Sequence, residues 1–264
     1  DCGFPVCYGE EGIIEGRMVS KECASGQILV LKGGSASNMI PDRAEVLLEK
    51  NDAIFAELVS LLGAKSGFEG VNYEIEEKGI RVFARGTSKH SAFPQGSING
   101  IHELVVFLEK MTSLSENDKR LLGCLEKLTE EYYGESVGIA YEDEVSGKTT
   151  CAGTVLTLEE GHICLTLNIR YAITADDVAA LRSLEAFAER CGWKWELERN
   201  SKPNYFPKEH PAVETLTNLF NEITGRDTQS FVMGGGTYAR MLPNAFAYGL
   251  GGMTESEEDK AAKE

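Results

Sequence analysis

The sequence predicts an α+β protein with two β-α-β-type repeats sharing one antiparallel sheet, helices on one face, and a shorter, partial α/β portion at the ends. Three observations predict it. Runs of alternating apolar and polar residues, of strand length, are interleaved with segments of helical spacing along most of the chain. A strand, the loop Gly33-Gly-Ser-Ala-Ser-Asn-Met-Ile-Pro-Asp42 and a helix are echoed by a strand, the loop Asn168-Ile-Arg-Tyr-Ala-Ile-Thr-Ala-Asp176 and a second helix. Ser201-Lys-Pro-Asn-Tyr-Phe-Pro207 carries two prolines and reads as a linker into a segment of different character.

The elements follow in order. Residues 12–19 and 27–32 are predicted strands, and 42–62 a helix started by Pro41-Asp42. Residues 71–76 and 79–84 form a hairpin across Glu77-Lys78, and 99–111 and 116–133 have helical spacing. Strands at 149–158 and 162–171 meet at the turn Glu159-Glu-Gly161, followed by a helix at 175–191 and a strand at 193–199. After the linker come a helix at 210–225, closed by Gly225, and a short strand at 230–233. The expected divisions are 1–9, 10–202 and 203–264, the first and last belonging together.

With 264 residues and 42% hydrophobic content, the chain can bury one large core or two moderate ones. Its 42 acidic against 26 basic residues give a net charge of −16, which argues against nucleic acid or an anionic membrane as partner. No apolar run approaches the length that crosses a bilayer. The seven cysteines are odd in number and scattered, so reduced thiols and a cytoplasmic setting are expected.

The stretch with most chemical content is Phe231-Val-Met-Gly-Gly-Gly-Thr-Tyr-Ala-Arg240. Gly234, Gly235 and Gly236 strip side chains from the backbone, and N–H groups entering a helix can cradle an anion. Thr237, Tyr238 and Arg240 add donors suited to a carboxylate. His90 sits in Gly86-Thr-Ser-Lys-His-Ser-Ala-Phe-Pro-Gln-Gly-Ser-Ile-Asn99, a loop too irregular to bury an imidazole on an apolar face, and so suits an electrophilic or proton-handling role. Asn38 precedes the expected helix at 42–62 in a turn-rich loop, and Arg170 ends an alternating strand on a face shared with Asn168, Thr166 and Cys164. His102, His162 and His210 have no zinc-like spacing among them.

Together with Asp1-Cys-Gly-Phe-Pro-Val-Cys-Tyr-Gly-Glu-Glu-Gly12, these segments come in an order that resembles the PepV-type dinuclear zinc dipeptidases, the metallopeptidase group that also holds carnosinase, aminoacylase and succinyl-diaminopimelate desuccinylase. The resemblance covers nearly the whole chain. It implies that residues 10–202 are a lid of doubled, ferredoxin-like form and that 1–9 and 203–264 are pieces of a catalytic domain whose amino-terminal segment lies outside this sequence. It implies hydrolysis of dipeptides with two zinc ions, or manganese or cobalt, in the intact enzyme and none held by this chain alone. Asp1 is the implied metal ligand, His90 the group that polarises the scissile carbonyl, and Asn38, Arg170 and the 234–240 stretch the substrate contacts. Where the family has Arg-Tyr-Pro, this chain has Arg170-Tyr-Ala172. The doubled lid suggests a monomeric parent. A deacylase or desuccinylase of the same group, and a non-enzymatic binding or dimerisation domain, are the alternatives.

Overall fold

The structure, a computed structural model, describes residues 2–63 and 67–249. The chain enters through β1 (Cys7–Glu10), β2 (Gly12–Cys23), β3 (Ile28–Gly33) and β4 (Arg43–Glu49), then α1 (Asp52–Gly63), β5 (Val71–Ile75), β6 (Gly79–Arg85), α2 (Gly100–Glu109) and α3 (Glu116–Thr129). The small hairpin β7 (Glu142–Asp143) and β8 (Gly147–Lys148) leads into β9 (Thr150–Glu159), β10 (His162–Tyr171), α4 (Asp177–Arg190) and β11 (Trp193–Ser201). The chain continues as β12 (Asn204–Tyr205), α5 (Pro211–Thr224), β13 (Phe231–Met233) and one 3-10 turn at Tyr238–Met241.

Eight strands form one sheet in the order β11-β2-β10-β9-β3-β4-β6-β5, every neighbouring pair antiparallel. Two crossovers organise it. β10 and β11 run parallel on either side of β2 and are joined over α4, while β4 and β5 run parallel on either side of β6 and are joined over α1. The two four-stranded halves meet at a single register pair, Gly33 with Leu156. Ile54 and Leu58 of α1, Leu104 and Leu108 of α2, Leu121 and Leu125 of α3, and Leu184 and Phe187 of α4 join Val46, Leu167 and Trp193 in one contiguous core. Each such side chain contributes about 1.5–3 kcal/mol on burial, so this core holds the frame.

A second sheet orders its strands β12-β1-β13, with β1 antiparallel to β12 and parallel to β13. Its own cluster is small: Val6, Tyr8 and Val213, with Val145, Phe206, Leu216, Val232 and Phe246 against them. Val145 comes from the β7–β8 hairpin, so that hairpin packs on the small cluster while Ser146 Oγ accepts from the Ile173 N–H at 2.9 Å beside the large sheet.

Two expectations are corrected. Residues 42–62 are not one helix: Arg43–Glu49 is strand β4, paired with β3 and β6, and the helix begins only after Asn51. The residues at 201–207 are not a plain linker, because β11 runs to Ser201 and Asn204 and Tyr205 pair with Glu10 and Gly9. All seven cysteines are free thiols. No helix among the described residues is long and apolar enough to cross a membrane.

Candidate functional site

The His90 loop, Arg170 and the Gly234–Arg240 stretch come together where β1, the end of β10, the loop between β6 and α2, and the stretch after β13 meet. The last of these departs from the expected geometry. Gly234–Gly236 leads into a 3-10 turn of four residues rather than a helix, with Thr237 as its cap accepting from the Ala239 N–H at 3.0 Å. Close approach explains Gly234 most directly, and Gly236 through the Arg240 side chain held beside it. A Cβ on Gly234 would stand 2.9 Å from the Ala92 Cβ and 3.0 Å from Glu11 Oε2, and one on Gly236 would stand 2.8 Å from Arg240 Nε. Gly235 lies between them, half-buried.

Arg170 ties this stretch to the large sheet. Its Nη1 donates to the Gly234 carbonyl and its Nε to Asn168 Oδ1, both at 3.0 Å, and only 7% of the residue is exposed. Asn168 Oδ1 also accepts from Ser91 Oγ at 2.9 Å, and its amide donates to Glu15 Oε2 at 3.1 Å. Because Ser91 follows His90, the histidine loop is fastened to Arg170 through one shared amide oxygen. The loop is closed at its base by Thr87 and Ile98, which exchange backbone hydrogen bonds at 2.8 and 3.0 Å.

His90 Nδ1 accepts from the Ala92 N–H at 3.1 Å, so the neutral ring carries its proton on Nε2 and presents a donor there. Burial, with Arg170 nearby, lowers its pKa below the ordinary histidine value, which favours that neutral form. Asn38 lies beside it: the Asn38 carbonyl accepts from the Ser91 N–H at 2.9 Å and Met39 bridges to His90, while the Asn38 residue itself is exposed.

Thr237 and Arg240 are engaged from within the chain. Glu10, wholly buried, accepts from Thr237 Oγ1 and, at 2.8 Å, from Arg240 Nε. Arg240 Nη2 donates to the Glu11 carbonyl at 3.0 Å and the Gly235 carbonyl at 3.3 Å, while its buried Nη1 has no partner among the described residues. The carboxylate that these donors hold in this structure is therefore the protein's own. Tyr238 is 80% exposed. Glu11 is 7% exposed, and burial pushes its carboxyl up to about 7 against the opposing pull of Arg170.

Asp1 lies outside the described residues. Among the described residues no three His, Cys, Asp or Glu side chains cluster closely enough to hold a metal ion. His102 lies 3.3 Å from Thr129 Oγ1, His162 Nδ1 lies 2.8 Å from the Ser20 carbonyl, and His210 caps α5.

The chain is 30% identical over 260 residues to "Putative dipeptidase YtjP" of Bacillus subtilis (strain 168), covering 94% of this chain and 54% of that protein. It is 27% identical over 257 residues to a "Beta-Ala-Xaa dipeptidase" of Lactobacillus delbrueckii subsp. lactis, covering 94% of this chain and 54% of that one. The chain is similar in sequence to these dipeptidases. It spans about half the length of the dipeptidase relatives it matches. No family model matches it. A solved aminoacylhistidine dipeptidase from Vibrio alginolyticus superposes with a TM-score of 0.43 at 11% identity, over 88% of this chain and 52% of that one, a likeness too loose to weigh.

Sequence reading missed five residues of the cluster: Glu10, Glu11, Glu15, Ser91 and Asn168 as a hydrogen-bonding centre. One signal was available. Glu10-Glu11 stands between two glycines inside the otherwise apolar run from Pro5 to Ile14, and two carboxylates in a buried strand pattern need partners.

Proposed function

We propose that this chain forms the substrate-holding part of a metal-dependent dipeptidase. The observation that carries the reading is the convergence of four segments far apart in sequence: the His90 loop, Arg170, the glycine triplet and the Glu10–Glu11 strand end, joined through Asn168 and the Gly234 carbonyl. The dipeptidase relatives, matched over nearly the whole chain, support it. Residues 10–202 would act as lid, and 1–9 with 203–264 as part of the catalytic domain. The small sheet fits that division, since it draws β1 from one end of the chain and β12 and β13 from the other.

In this reading the backbone at Gly234–Gly236, with Arg170, seats the substrate carboxylate, and Arg240 adds its Nη1, which has no partner among the described residues. Asn38 borders the cleft. His90 donates its Nε2 proton to the scissile carbonyl and to the oxyanion that forms there, a role that requires the neutral tautomer its surroundings favour. The described residues do not by themselves fit two zinc ions, or manganese or cobalt in their place. Ligands beyond them, Asp1 included, would hold the metal, whose chemistry when bound is to activate water.

The test is binding and turnover in one sample, followed by NMR. Adding a dipeptide to the chain is expected to shift the signals of His90, Arg170 and Gly234–Gly236 without hydrolysis, and amidating the dipeptide carboxylate is expected to abolish the shifts. Preference for an N-succinyl or N-acetyl amino acid over a dipeptide would select the deacylase reading. Absence of binding by either class would leave a non-enzymatic domain.

A further inference from the structure

Glu11 is a buried carboxyl that the hydrolytic reading does not use. Its Oε2 lies against Gly234, 3.0 Å from where a Cβ would stand. Its backbone is pinned, the N–H donating to the Met233 carbonyl at 3.0 Å and the carbonyl accepting from Arg240 Nη2 at 3.0 Å. Among the described residues, however, no donor reaches its carboxylate. The nearby charges are Arg170 from β10, which draws it toward ionisation, and Asp143 from β7, which opposes that. Arg170 has committed Nε and Nη1 to Asn168 and Gly234, and it also feels Arg199, Glu15 and Arg240. Glu10 is committed to Thr237 and Arg240, and Glu15 accepts from Asn168. The acidic oxygen beside the glycine triplet is therefore that of Glu11.

An anion arriving there meets one of two surfaces. A protonated Glu11 offers an O–H donor, and O–H···O⁻ hydrogen bonds are among the strongest. An ionised Glu11 presents a second negative charge at contact distance in a poorly solvated place, where like charges repel far more than in water.

We propose that Glu11 sets the anion affinity of the glycine cradle: a carboxylate seats against Gly234–Gly236 when the Glu11 carboxyl keeps its proton and is rejected when it does not. The inference rests on reading the cradle as a carboxylate seat. Burial holds the carboxyl near 7, so the gate operates around neutrality. Burial, with Arg170 nearby, lowers the His90 pKa, which moves its titration away from the pH range above neutrality.

The probe is N-acetylglycine, a peptide-like carboxylate with no titrating amine, bound to this chain between about pH 6.5 and 8.5. The expected dissociation constant rises toward tenfold per pH unit above neutrality in the unsubstituted chain, and stays at its low-pH value in Glu11→Gln, which is neutral at every pH. By reciprocity, saturating N-acetylglycine raises the titration midpoint of Glu11, read from its side-chain carboxyl carbon by 13C NMR. This second measurement uses the unsubstituted chain, so it decides even if Glu11→Gln fails to fold. The same pH slope in Glu11→Gln, or a Glu11 midpoint that stays or falls on binding, overturns the gate. Binding that is independent of pH sinks the gate and leaves the cradle standing; no binding at any pH by the folded chain sinks both.

Discussion

Glu10 is wholly buried and Arg240 has 10% of its side chain exposed, so their ion pair is of the kind whose single partners cannot be removed cheaply. Glu10→Ala strands a buried guanidinium and the Thr237 hydroxyl; a loss of about 3–5 kcal/mol in equilibrium urea unfolding is expected, and most of it should return in the double variant Glu10→Ala/Arg240→Met. A loss under about 1 kcal/mol in the single variant would mean that the pair is solvated. The thiols can be ranked as well. Cys23 is exposed, with its Sγ 3.6 Å from His162 Nε2, whereas Cys2, Cys7, Cys124, Cys151 and Cys164 are buried. Brief treatment with iodoacetamide followed by peptide mass mapping is expected to label Cys23 first. At this scale the sequence was legible in part. His90, Arg170 and the glycine triplet carried signals in their own neighbourhoods, but Thr237 and Arg240 were read as facing a ligand because the acid that engages them lies some 230 positions away, and no local pattern reports such a pairing.

Among the elements, the segment at 42–62 shows where periodicity misleads. Arg43-Ala-Glu-Val-Leu-Leu-Glu49 followed by Asp52–Gly63 keeps apolar residues at helical intervals, yet the first part is a strand buried between β3 and β6. Strand pairing on both edges overrode a weak local preference, since strand propensity depends on its neighbours more than on the residues themselves. The start signal was Asn51, whose Oδ1 accepts from the N–H groups of Ala53 at 2.9 Å and Ile54 at 3.4 Å. Asn51→Ala is therefore expected to cost about 1 kcal/mol, the usual worth of an N-cap, while Asp42→Ala costs less than half of that. Thermal melts of both variants discriminate the two starts. The other helices were legible because they announce themselves: Asn99, Ser115 and Asp176 each cap the element that follows, and Gly225 closes α5 in a left-handed turn.

On the scale of the molecule, two sets of carboxyls pull stability in opposite directions with pH. Glu11 and Glu109 are pushed up to about 7, Glu11 chiefly by burial and Glu109 by burial and the neighbouring Glu126. The folded chain therefore keeps protons that the unfolded chain releases above its ordinary value near 4.5, so their contribution is greatest at and below that value and is lost as pH rises through 7. Glu57 and Asp143, held down to about 2 by hydrogen bonds from backbone and hydroxyl donors, contribute above the ordinary carboxylate range and lose that as pH falls through 2. Glu11→Gln should flatten the decline in unfolding free energy between about pH 5 and 7, by an amount on the order of 3 kcal/mol, in urea titrations across that range. The α+β class and the strand-rich order of the chain were legible from alternation, but the pairing order was not, because β2 is separated from β10 and β11 by more than a hundred residues and only the folded sheet brings them together. The β7–β8 hairpin carries a last consequence. With Val145 on the small cluster and Ser146 on the chain beside the large sheet, melting either region exposes the other, so one calorimetric transition is expected to join the substantial core to a cluster that has three buried residues among those described and is too small to fold by itself. Weakening that link with Val145→Asp, while Arg170 still holds Gly234, should broaden the endotherm on its low-temperature side, with the strands from the two chain ends loosening first.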